Sequence, residues 1–236
     1  MTKFYTDKLN FETREILRGT TQMAPHFTEL AGRIFKNYAV MPINICFSFE
    51  GTKREPTLKI CFKYEHEVRI CEKQRLLNCQ NRTKAPNLDY WSAIRKHMFS
   101  KQSLLSGIVL TFRFLSLRRR TLWTSYSSYE AFAKAETNDS IPSDRLEKLK
   151  KEIGQEDLLW TISRAGAATI FFLFTKEQVT QYERSDLHKD WSNRYYELLK
   201  PYDEFGYYKQ EDFWVNLDSK ENFDNNYQSN WYYYYK

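Results

Sequence analysis

Phe27, Leu30, Ile34 and Phe35 fall on one side of a 3.6-residue period, and Pro25 suits a first helical turn, so Pro25 to Tyr38 reads as a helix. A shorter helix fits 10–19, with Asn10 as its cap and Phe11, Ile16 and Leu17 on its apolar side. Beyond Pro42 the period drops to two. Ile43, Ile45, Phe47 and Phe49 alternate with polar or small residues, as do Leu58, Ile60, Phe62 and Tyr64. Two such runs across an eight-residue turn predict an antiparallel hairpin with one buried face, Phe49 opposite Leu58 and Cys46 opposite Cys61.

Arg69 to Cys79 fits either an extension of that strand or a helix, and Asn81 to Asn87 reads as a loop. Asn87 or Asp89 opens a helix through Lys101 with Trp91, Ile94 and Met98 along one side. Ile108 to Leu117 alternates and predicts a strand, ended by Arg118, Arg119 and Arg120. Thr121 to Tyr126 is strand again, and Ser127 caps a helix to Glu136. The polar run from Glu136 to Pro142 is the best linker. Ser143 caps a charged helix, Asp144 to Ile153.

The most apolar run, Ala165 to Phe174, shows no alternation and predicts a strand covered on both faces. Thr175 with Gln178 has the capping-box spacing, so that strand leads into a helix over 176–184, followed by another over 187–199. Phe213 to Leu217 predicts a strand, Ser219 to Asn226 a capped helix, and Trp231 to Tyr235 a closing strand. No internal repeat stands out. The whole is an α+β chain, with helices packed on a mixed, largely antiparallel sheet whose central strand lies near 167–174. It reads as a single domain over 1–236, with a division into lobes 1–137 and 138–236 as the alternative.

Charge sharpens that alternative. Residues 1–125 hold 22 Lys+Arg and 10 Asp+Glu, whereas 126–236 hold 14 and 20, although the net charge is only +6. Two surfaces of opposite sign, or one half that meets a charged partner, are expected, with mutual neutralisation across the fold as the alternative. The chain has seven glycines and neither GxGxxG nor GxxxxGK[ST], which argues against a dinucleotide fold or a P-loop. The first ten residues lack an apolar signal core, no run of 18 apolar residues occurs, and the cysteines at 46, 61, 71 and 79 form no CxxC. A reduced, cytoplasmic protein is the expectation. His66 with Cys61, Cys71 and Cys79 does not have zinc-site spacing, and no metal or cofactor is called for. No GxSxG occurs. Of His26, His66, His97 and His188, two meeting beside a lysine would give the arrangement used in general acid–base cleavage of RNA. In the absence of a catalytic motif, a non-enzymatic role is expected.

Two segments carry candidate binding chemistry. Arg118, Arg119 and Arg120 followed by Trp123 and Tyr126 put guanidinium groups near stacking rings, as in proteins that hold single-stranded RNA. Toward the other end, Asp203, Glu204, Glu211, Asp218, Glu221 and Asp224 are interleaved with aromatics up to Trp231, a composition suited to steering and gripping a basic protein. With that segment, the chain resembles, in general character rather than by motif, the immunity proteins of bacterial toxin–immunity pairs such as contact-dependent growth inhibition systems. The resemblance implies a cognate toxin as partner, often a nuclease with a basic cleft, blocked stoichiometrically by the acidic face. Reversing Asp218, Glu221 and Asp224 to lysine should then weaken the complex while the fold survives.

Overall fold

The computed structural model describes residues 8–80, 89–100, 107–118, 121–153 and 158–236, and of 75–80, 107–110, 112 and 113 the backbone alone. The chain divides into two compact units, Met1–Glu130 and Ala131–Lys236.

Unit 1 opens with α1 (Lys8–Leu17) and α2 (Pro25–Tyr38), then β1 (Asn44–Glu50) and β2 (Glu55–Phe62), α3 (Glu65–Gln80), α4 (Tyr90–Phe99), α5 (Gly107–Arg118) and β3 (Trp123–Ser128). The sheet order is β1-β2-β3, antiparallel between the first two and parallel between β2 and β3. Leu58, Ile60 and Phe62 on β2 are fully buried against Phe27, Leu30 and Ile34 of α2 and Ile94 of α4. Each such side chain contributes about 2 kcal/mol of burial.

The expected hairpin forms in a register shifted by two. The strands run on to Glu50 and Glu55, so the turn is four residues rather than eight, Phe47 lies opposite Leu58, and Cys46 faces Lys59. An even shift leaves every side chain on its expected face. Cys46, Cys61 and Cys71 are free thiols, and burial pushes that of Cys71 up to about 11. On α1 the buried residues are Leu9 and Thr13, whereas Phe11 is 67% exposed. Thr13 Oγ1 donates to Leu9 O at 2.6 Å and accepts from the buried Asn44 amide, which turns that face of the helix inward. Arg69 to Cys79 is helical. So is Ile108 to Leu117, against the strand expected there. The second parity of that run is mixed rather than polar, with Val109, Leu115 and Leu117, so a helical period fits equally, and Phe114 and Leu117, one turn apart, are both buried. The loop expected at 81–87 lies outside the described residues.

Unit 2 follows α6 (Tyr129–Ser140), inside which the division falls, with α7 (Ser143–Ile153), β4 (Leu159–Ala165), β5 (Ala168–Leu173), α8 (Lys176–Tyr182), α9 (Asp186–Leu199), β6 (Asn216–Ser219), α10 (Lys220–Tyr227) and α11 (Trp231–Tyr234). Its sheet order is β4-β5-β6, again one antiparallel and one parallel pairing. The α+β class holds, with two three-stranded mixed sheets in place of one. The apolar run at 165–174 supplies the central strand and is covered on both faces. Phe171 and Leu173 pack with Trp191, Tyr195 and Leu199, while Phe172 meets Trp160, Phe223 and Trp231.

Sequence reasoning overlooked β4 and made one strand of what is a strand and a turn. Gly166, at φ +57, takes the first central position of a two-residue hairpin loop, where a positive φ is required. The linker expected at 136–142 is instead the end of α6, and Asn138 is fully buried. Its amide donates to Gly166 O and Ala168 O at 2.9 and 3.1 Å and accepts from Tyr195 Oη at 2.6 Å and Thr169 Oγ1 at 3.2 Å. Thr175 and Gln178 form the capping box as expected. β6 begins three residues later than expected. Trp231–Tyr234 is a helical turn rather than a strand, because Asn230 Oδ1 caps it and Trp231 and Tyr234 fold onto Phe223.

Candidate functional site

Unit 2 carries an open groove of about 530 Å³ between α9 and the 3-10 turn at Gln210–Asp212. Lys189, Asn193, Gln210, Glu211, Phe213 and Trp214 line it. Trp214 is 46% exposed, yet its neighbours on both sides are anchored. Phe213 stacks on Tyr195 at 6.2 Å, and the buried Val215 donates its N–H to Ser192 Oγ at 3.2 Å. His188 Nδ1 accepts from Arg184 N at 3.2 Å, which fixes the tautomer, and Nε2–H donates to Val215 O at 2.8 Å. The indole of Trp214 then meets the His188 ring edge-on at 5.1 Å. The exposed ring is thereby held in place rather than carried on a loose loop. Gln210 Nε2 reaches Asn193 Oδ1 at 3.4 Å, and the Glu211 carboxylate has no ion pair among the described residues.

Most of the acids singled out from sequence have work within unit 2. Asp203 accepts from Tyr207 N and Tyr208 N at 3.0 and 2.8 Å, closing a turn. Asp218 accepts from Ser219 N, the Asn222 amide and Tyr234 Oη, and burial drives the Tyr234 phenol far above its ordinary value. Glu221 Oε2 accepts from Lys176 N at 3.1 Å, at the start of α8. Asp224 pairs with Lys220 and accepts from Ser229 Oγ. The Lys220 hydrogen bond holds its carboxyl below the usual range. Trp231 is 39% exposed, stacked parallel to Trp160 at 6.0 Å. Glu204 and Glu211 remain on the surface. Reversal of Asp218, Glu221 and Asp224 would therefore strike the fold, contrary to the expectation that it would spare it.

In unit 1, Arg118 is exposed at the end of α5, and Arg119 and Arg120 lie outside the described residues. Trp123 opens β3 at 57% exposure. Tyr126 turns the other way, into the core, with its hydroxyl 3.4 Å from that of Tyr90. Odd spacing along a strand puts the two rings on opposite faces, so only Trp123 offers a stacking surface.

Two histidines do meet beside a lysine. His97 Nδ1 and His26 Nε2 lie 2.6 Å apart between α4 and α2, against Phe27 and Phe47. At that distance the two nitrogens share one proton and leave no room for a phosphate between them. Lys96 is engaged by Glu29, which also binds Arg33. The geometry is that of a clamp between helices and not of a two-histidine cleavage site.

Sequence reasoning missed the groove. Phe213 and Trp214 read together as the start of one strand in an acidic, aromatic segment, and the polar side of α9 gives no sign of what it faces. Among the described residues, no helix is long and apolar enough to cross a membrane, and no group of three or more His, Cys, Asp or Glu side chains is placed to hold a metal ion. No family model, curated protein or solved structure matches the chain.

Proposed function

We propose that this chain is a non-enzymatic binding protein of the immunity type, acting in the cytoplasm, which blocks a cognate protein toxin by docking it on the aromatic surface of unit 2. The observation that carries this reading is Trp214, anchored on both sides and half exposed beside a groove that also holds the Glu211 carboxylate, which has no ion pair among the described residues. Rigid aromatics of this kind supply most of the energy at protein interfaces, and charges beside them set register and approach. Trp231, Tyr232, Tyr233 and Tyr235 are exposed as well, but beside Phe172, on the face of the sheet away from α9 and the groove. The acidic contribution expected from the whole segment 203–224 narrows to Glu211.

The test is co-purification of the native chain with the secreted protein encoded beside it, followed by calorimetry on wild type and Trp214→Ala. A stoichiometric complex weakened at least about a hundredfold by the substitution is expected. A neighbouring protein that forms no complex at micromolar concentration would end the proposal.

A second reading, RNA binding by unit 1, is favoured by one observation. Residues 1–130 hold 22 basic against 11 acidic residues, and Trp123 stands exposed among them. Affinity for a single-stranded oligouridine that falls steeply between 50 and 200 mM salt, and falls again in Trp123→Ala, would select this reading. Binding that ignores salt would remove it.

A further inference from the structure

The two units repeat one another. In each, two helices precede a hairpin whose second strand is central. After a helical crossover a third strand joins that central strand in parallel and passes directly into a helix. Unit 1 runs α1, α2, β1, β2, α3 to α5, β3, α6. Unit 2 runs α6, α7, β4, β5, α8 to α9, β6, α10. The register repeats as well. Phe62 at the end of β2 lies opposite Ser128, and Leu173 at the end of β5 lies opposite Ser219.

Local bonding repeats around those serines. Two residues beyond each stands a glutamate whose N–H donates to the residue after the central strand, Glu130 to Lys63 O at 3.2 Å and Glu221 to Phe174 O at 3.1 Å. Its carboxylate accepts from the first N–H of the next helix, Glu65 N at 3.0 Å in one unit and Lys176 N at 3.1 Å in the other. The third residue of that helix reaches back in both, Glu67 to Tyr64 N at 2.8 Å and Gln178 to Thr175 N at 3.0 Å. Aligned on the serines, Leu122 to Glu130 matches Phe213 to Glu221, and the shared pattern is W-x4-S-x-E.

The glutamate has a structural reason to recur, since it caps a helix, and the serine ends its strand at the same register position. The tryptophan has no such reason. Trp123 and Trp214 occupy the same position at the mouth of the third strand, and both are exposed, at 57% and 46%. A large ring kept largely outside the core at the same aligned position in two copies, while the residues around it differ, suits a contact residue.

We propose that the chain is a tandem duplication of one binding module, that this tryptophan is each module's contact residue, and that the groove of unit 2 takes an extended, arginine-bearing segment of a protein partner. The last part rests on the protein-binding reading above. A guanidinium can lie on the Trp214 ring and fork to the Glu211 carboxylate, while the Asn193 and Gln210 amides match a peptide backbone. Residues 131–236 hold 19 acidic against 14 basic residues, which suits a basic segment.

The probe is a displayed library of random dodecapeptides selected on the full chain. Enriched peptides should carry arginine. Their affinity should fall about tenfold or more in Trp214→Ala and in Glu211→Gln, at unchanged melting temperature, and stay the same in Trp123→Ala. No enrichment, enrichment without arginine, or equal binding to Trp214→Ala overturns the site. The duplication has its own readout: Glu130→Ala should speed amide exchange in the first turn of α3, and Glu221→Ala in that of α8. A response in only one of the two refutes it. A native partner whose complex ignores Trp214→Ala removes this groove as its site and, with it, the docking surface of the proposed function, leaving only the inhibitor role. Peptide binding through Trp214 with no native protein partner does the reverse.

Discussion

Asn138 illustrates how much one polar side chain can hold. Its amide makes four hydrogen bonds and so joins α6 to the β4–β5 turn and to α9. Removing it frees two carbonyls of the turn and strands two buried hydroxyls, those of Thr169 and of Tyr195, whose phenol burial pushes up to about 12. Asn138→Ala should cost about 3 kcal/mol or more in urea unfolding. Nothing in the sequence marks this residue, because Glu-Thr-Asn-Asp-Ser has the composition of a solvated linker, and only the fold shows that its bonds are satisfied inside. Glu29 is a surface counterpart. Hydrogen bonds from Lys96 and Arg33 lower its carboxyl from the ordinary 4.5 to about 2. Because the folded value is the lower one, the stability it lends is complete above about pH 4.5 and is lost as pH falls toward 2. The carboxyl carbon should titrate near 2 in a heteronuclear spectrum, and Lys96→Ala should bring the midpoint back up toward 4.5.

Among elements, those with a punctuating residue were readable. Pro25 starts α2, Ser143 opens α7, Thr175 with Gln178 starts α8, and Ser219 caps α10. The alternation in β1 and β2 was equally plain, since one face is apolar. Runs without a clean polar face were ambiguous, because periodicity then cannot separate strand from helix: 165–174 did give a strand, but α5 and α11 were misread. The parallel partners β3 and β6 were not foreseeable either, since their pairing is set by crossovers and not by a local turn. The groove at Trp214 inherits that gap, because it exists only once β6 is placed beside β5. The acids near it belong to the same level. Asp218 and Glu221 tie β6 to α10, α11 and α8, so replacing both by lysine should destabilise unit 2 by about 3 kcal/mol or more, seen as a lower melting temperature before any partner is added.

For the whole molecule, the change in charge near the middle of the sequence does track a division of the structure, although the division falls at Glu130 and Ala131, within a helix, and the polar run after it is not a hinge. Each unit has its own hydrophobic cluster, one around Leu58, Ile60 and Phe62 and the other around Phe171, Leu173 and Trp191. Leu58→Ala and Phe171→Ala should each cost about 3 kcal/mol. Hydrogen exchange should show the loss of protection concentrated in residues 1–130 for the first and in 131–236 for the second. The repeated W-x4-S-x-E was present in the sequence throughout, hidden because three matching letters in nine residues are unremarkable until strand register makes them coincide.

The helix Tyr129–Ser140 is counted twice in that scheme, ending one copy and beginning the next. No single cut can therefore yield two intact halves: wherever the chain is severed, one fragment goes without a piece it shares. Complete copies require overlapping fragments, both of which contain 129–140.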